Sequence, residues 1–157
     1  MLNHFAVSLV VTNEMRTKIT TYGEPFVGCL VGSAFQKMIV RLDEALSEAG
    51  LDISSAEYMI LRALFSHDGL QQCELADMVG KDKASVSRTV ATLVKKGLIR
   101  REQLSYKCCK AWLTDEGEAL RAPLIEIGRK RHQALARGVT VLDLEAFVRI
   151  IEAILNE

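Results

Sequence analysis

A chain of 157 residues that is 49% hydrophobic and 25% charged is too apolar to stay disordered and has enough core-forming side chains for one compact domain with added arms. Its 20 basic and 20 acidic residues cancel, so the chain as a whole is not polycationic. No apolar run reaches the ~18 residues that a membrane span needs, and no basic leader or small-residue cleavage site accompanies the apolar patch Phe5 to Val11, so a cytoplasmic chain is expected.

Residues 1–24 form an arm whose pattern suits strand and helix equally. From Pro25 to Ala49, Val27, Leu30, Val31, Ala34, Phe35, Met38, Leu42, Ala45 and Leu46 recur every three or four residues, with Pro25 at a first-turn position and Gly50 at the stop. Such a helix reaches past one core, and its free length suits a partner surface. Ser54-x-x-Glu57 is a capping box opening a second helix, with Tyr58, Leu61, Leu64 and Phe65 as its buried stripe and a turn at His67-Asp68-Gly69. His67, beside that turn, is read as solvated, because nothing near it in sequence completes a metal set.

The stretch Lys81 to Lys110 stands apart. It holds Lys or Arg at nine positions against Asp82 and Glu102, a local charge of +7 in a chain whose total is zero. Asp82 is a good N-cap and Gly97 a natural stop, and between them Val86, Val90 and Leu93 share one buried stripe. The opposite face then belongs to Ala84, Arg88, Ala91 and Lys95, flanked by Ser85, Ser87 and Thr92. Small and short polar side chains with one Arg allow close approach to base edges, and Ser and Arg are hydrogen-bonding partners of bases and phosphates. An ordinary amphipathic helix with a polar outside would show the same face, so the neighbouring segments matter. Upstream, QQCELADMVG reads as a short helix ending at Gly80, which completes a helix-turn-helix. Downstream, Leu98-Ile99-Arg100-Arg101 and Lys110-Ala111-Trp112-Leu113 bracket a polar segment and predict a β-hairpin.

Beyond the hairpin, Thr114 caps a helix through Leu120, Leu124, Ile127 and Leu135, in which Pro123 predicts a kink or a late start. Gly138 breaks the chain, and Thr140 opens a last helix carrying Leu144, Phe147, Ile150 or Ile151, and Ile154 on one side. The expected fold class is mainly α: a winged helix-turn-helix with a small β-hairpin wing and long N- and C-terminal dimerisation helices. The division is an arm of uncertain structure at 1–24, a helical dimerisation region at 25–50 and 115–157, and a DNA-binding region at 51–114.

The chain resembles the MarR family of bacterial transcription regulators. The residues that carry the resemblance are Glu74-Leu75-Ala76, Asp82 to Arg88, Leu93 with Gly97-Leu98-Ile99, Arg101, and Leu113-Thr114 with Gly117. The family's wing usually carries Asp-x-Arg near its tip, where this chain has Ser105-Tyr106-Lys107 in a hairpin expected to be shorter. The resemblance implies a homodimer, more often a repressor, that sets the second helix of each motif in a major groove of a pseudo-palindromic duplex and a wing beside the minor groove. It also implies an effector, a small molecule or an oxidant, acting between the dimerisation and DNA-binding parts. On this reading Ser85, Ser87 and Arg88 read base edges, Ala84 admits close approach, and Lys83, Lys95, Arg101, Lys107 and Lys110 neutralise phosphates.

Two other classes compete: a winged-helix module that binds proteins and never DNA, and a thiol-based redox protein. For the latter, Cys29 lies near the place where hydroperoxide sensors of this family carry a reactive cysteine, but a small buried hydrophobe is the commoner role of such a residue. The four cysteines, Cys29, Cys73, Cys108 and Cys109, show neither a CxxC pair nor a zinc spacing, and reduced thiols are expected. Neither a metal nor a cofactor is expected. There is no Gly-rich phosphate loop, and Asp43, Glu44, Asp115 and Glu116 sit where capping or solvation explains them, so the chain is not read as an enzyme.

Overall fold

The computed structural model describes residues 27–105 and 108–156. The arm at 1–24, Pro25, Tyr106 and Lys107 lie outside the described residues. Among the described residues, seven helices and three short strands follow in chain order: α1 (Val27–Glu48), α2 (Ser55–Ser66), β1 (Leu70–Gln71), α3 (Gln72–Val79), α4 (Lys83–Lys95), β2 (Ile99–Ser105), β3 (Cys108–Leu113), α5 (Asp115–Ala119), α6 (Arg121–Leu135) and α7 (Val141–Leu155). The chain divides within α1 into two units, Met1–Arg41 and Leu42–Glu157. In the first, the described part of α1 leaves Phe35, Met38 and Val40 exposed.

The second unit is organised around α2. Its start is fixed twice. Ser54 and Glu57 form the capping box, with the Ser54 amide donating to Glu57 Oε2 at 2.8 Å. Asp43, on the last part of α1, accepts from the Ser55 amide at 2.6 Å and from the Ser55 hydroxyl at 3.1 Å. Those bonds satisfy amides that a helix start leaves without intrahelical acceptors. From this anchored end, Leu61 and Leu64 of α2 enter a core shared with Leu46, Leu75, Leu93 and Leu124, all fully buried. Burial of each such side chain contributes about 1.5–3 kcal/mol.

The sheet is antiparallel with the order β1-β3-β2, and pairs Ile99 with Leu113, Arg100 with Trp112 and Leu70 with Ala111. Two features depart from the sequence reading. The strands run on to Ser105 and resume at Cys108, well beyond the two apolar runs, with an irregularity between Gln103 and Ser105. A third strand, β1, adds to the hairpin's free edge; at two residues it is too short to show a period-2 pattern.

Pro123 falls in the first turn of α6, after a separate short helix α5, which is the late start its missing amide predicts. Gly138 has φ +77°, and Thr140 caps α7 in a box with Asp143. No residue of α7 is buried, although the helix carries Leu142, Leu144, Phe147, Val148, Ile150 and Ile154. No described helix is long and apolar enough to cross a membrane.

Candidate nucleic-acid interface

Helix α3 ends at Gly80, whose left-handed backbone (φ +62°) turns the chain toward α4. Asp82 then caps α4: Oδ1 accepts from the Ser85 amide at 2.9 Å and Oδ2 from the Ser85 hydroxyl at 2.7 Å. The Ser85 hydroxyl and amide, helped by the charge of Arg88, hold the Asp82 carboxyl below its ordinary value. Val86, Val90 and Leu93 are buried against the core, so the helix has one defined outward side. Ala84, Arg88, Ala91 and Lys95 line that side and are exposed; Lys83 is exposed at the first turn, and Ser85 and Ser87 are half-buried at its flanks.

Within this face the predicted site residues are tied to one another. Arg88 folds back toward the helix start, where Nη2 donates to Ser85 Oγ at 3.0 Å. Arg101, on β2, donates from Nη2 to the Ser87 carbonyl at 3.2 Å and so braces the wing against α4. Lys110 is set apart. It pairs across the sheet with Glu102, on the face opposite the Arg101–Ala111 pair, and its ammonium lies 5.9 Å from the Trp112 ring centre. Arg100 stacks on the same ring at 5.4 Å, giving the outer wing face a cation–aromatic cluster that the sequence reading missed. Its signal was available, since Arg100, Glu102, Lys110 and Trp112 are the alternate positions of the two strands.

Lys96 belongs to the basic stretch by sequence and not to the interface. Its Nζ lies 3.0 Å from Glu57 Oε1, 2.6 Å from the Asp52 carbonyl and 3.3 Å from the Asp52 carboxylate, which pins the end of α4 to the start of α2. Glu57 is buried, so one of the local positive charges is neutralised inside the fold.

The other candidates are placed elsewhere. Cys29 is the third residue of α1. Cys73 and Cys109 are free thiols, and among the described residues no group of His, Cys, Asp and Glu could hold a metal ion. Asp43 is occupied in capping α2, and Asp115 lies in the first turn of α5.

A short helix, a glycine turn, a second helix with an exposed small-residue face, and a three-stranded wing define a winged helix-turn-helix protein. Residues 53–105 match the model of the MarR family. The transcriptional regulator HosA of Escherichia coli O157:H7 is 27% identical over 107 residues, which cover 67% of this chain and 79% of that protein. Two solved structures share the fold. The S. aureus MepR–DNA complex has a TM-score of 0.73 at 23% identity, covering 81% of this chain and 93% of that one. Bordetella bronchiseptica BpsR, whose DNA binding is regulated by 6-hydroxynicotinic acid, has a TM-score of 0.73 at 18% identity, covering 83% and 94%. Over residues 53–105 the chain is similar to the MarR family, and its fold is that of the two solved structures.

Proposed function

We propose that the protein is a homodimeric repressor that binds a pseudo-palindromic duplex, with one α4 in each of two successive major grooves. The observation that carries this reading is the outward face of α4: Ala84, Ala91 and the flanking serines leave room for the groove wall, and Arg88 projects from that face opposite the buried Val86, Val90 and Leu93. Arg88 and Ser87 contact base edges, while Lys83, Lys95, Arg101, Lys107 and Lys110 neutralise phosphates. Residues 51–114 form the DNA-binding region, and 25–50 with 115–157 form the dimerisation region.

Helix α7, in which no residue is buried, supports the dimer, because a helix this apolar is stable in water only when covered. A two-fold axis would set the two recognition helices about one DNA turn apart. Release by a small molecule or an oxidant completes the reading. An open hollow of about 300 Å³ between the α1–α2 turn and the end of α4, lined by Leu51, Asp52, Ile53, Lys96, Leu98 and Leu120, is where a small effector would act on α4. The test is selection of bound sequences from random duplex DNA. An enriched inverted repeat with half-site centres about 10 base pairs apart is expected, and a pool that stays random after repeated rounds contradicts the proposal.

A further inference from the structure

Ser85 stands among the residues predicted to read bases, yet its hydroxyl is already engaged. It donates to Asp82 Oδ2 at 2.7 Å and accepts from Arg88 Nη2 at 3.0 Å, while its amide donates to Asp82 Oδ1 at 2.9 Å. A hydroxyl has one proton and two acceptor sites, so Ser85 keeps one acceptor and no donor for a base. Arg88 keeps four of the five N–H groups of a guanidinium, and its fork is turned toward the N-terminal end of α4, the end of a recognition helix that contacts base edges. Without the Ser85 oxygen a long exposed Arg samples many rotamers, and ordering it on the DNA would cost conformational entropy at that moment.

We infer that Asp82 and Ser85 are positioning residues: the chain from the Asp82 carboxylate through the Ser85 hydroxyl holds the Arg88 guanidinium ready to read a base pair, and Ser85 itself reads none. The inference rests on the proposed DNA binding by α4, and the Asp82 carboxylate serves at once as helix cap and as the fixed end of the chain.

The experiment measures affinity for the selected duplex and for random duplex in the full-length protein and in Ser85→Ala, Ser85→Thr, Arg88→Ala, Asp82→Asn and the Ser85→Ala/Arg88→Ala pair, with helix content followed by circular dichroism. Ser85→Ala should lower the ratio of selected to random affinity roughly three- to tenfold, the scale of one hydrogen bond, with random-duplex binding held. Ser85→Thr keeps the hydroxyl and should restore the ratio. Asp82→Asn retains a capping side chain but offers the Ser85 hydroxyl a weaker acceptor, and should lower the ratio with helix content unchanged. In the Arg88→Ala background, Ser85→Ala should change the ratio no further, because its effect passes through Arg88.

Equal losses in both backgrounds would show that Ser85 reads bases itself. An unchanged ratio in Ser85→Ala, or parallel losses on both duplexes with loss of helix content, would reduce Ser85 to a partner of the Asp82 cap. Either result overturns the inference and leaves DNA binding by α4 standing. Failure of the unmodified protein to bind any duplex would remove that reading and the inference with it.

Discussion

Among single residues, Lys96 shows how a charge counted in the basic stretch 81–110 is neutralised inside the fold. Glu57 is 4% exposed, while the Asp52 side chain that also pairs with Lys96 is 97% exposed. Replacing Lys96 by Met leaves a buried carboxylate without its counter-charge, and stability should fall by about 2–4 kcal/mol, below the full cost of a broken buried pair because the ammonium keeps some contact with water. Asp52→Ala removes only an exposed partner and should cost under about 1 kcal/mol, since the backbone carbonyl of residue 52 still accepts from Nζ. Chemical denaturation of both variants checks the pair. Burial pulls the Lys96 ammonium down, but the hydrogen bond and charge of Glu57, followed by those of Asp52, outweigh it and leave the group above its ordinary 10.5. A raised lysine stabilises fully below the unfolded-state value, and that contribution is lost as pH rises through the folded one. The gap between wild type and Lys96→Met should therefore hold from neutral pH to about pH 10 and narrow above it. The capping residues Ser54, Asp82, Gly97 and Thr140 were legible because caps are local. The Lys96–Glu57 pair spans 39 positions, and no local pattern announces it.

At the scale of elements, the wing is where sequence pattern and structure diverge most. Apolar runs marked only the ends of β2 and β3 near the core, because the outer halves carry polar residues and are held by the backbone ladder. β1 is set by Gly69, whose φ of +74° ends the turn after α2, and by the Trp112 ring packed where a Cβ at Gly69 would stand. Gly69→Ala combines a left-handed alanine with that collision and should cost about 1–3 kcal/mol. Trp112 is the only tryptophan, so its emission should shift to the red in this variant, reporting loss of the packing. Gly97→Ala, at φ +73° but with open space around it, should leave the emission in place.

For the molecule as a whole, the pattern of α7 foretold a helix that needs a partner, and the absence of any buried residue in it is what that expectation requires of a single chain. Glu145, Arg149 and Glu152 share one face, and apolar side chains fill most of the rest, more than a helix resting on one core needs. In the proposed dimer a second chain covers it, and that surface is legible in neither the sequence nor the fold of one chain. Cutting after Gly138 removes Leu144, Phe147, Ile150 and Ile154, each worth about 1.5–3 kcal/mol when fully buried. Sedimentation should then show loss of the dimer or aggregation, whereas a soluble, specific dimer of the shortened chain would place the interface elsewhere.

In the proposed function the outward face of α4 and the cations around it form a footprint for duplex DNA. Its most direct test is affinity for the selected duplex as salt is raised from about 50 to 200 mM, in wild type and in Lys95→Ala. Release of counterions from the phosphates predicts a straight fall of log affinity with log salt, flattened by about one unit in the variant, on selected and random duplexes alike. An affinity that stays level across that range, or a slope that Lys95→Ala leaves unchanged, would contradict the assignment of this face to DNA.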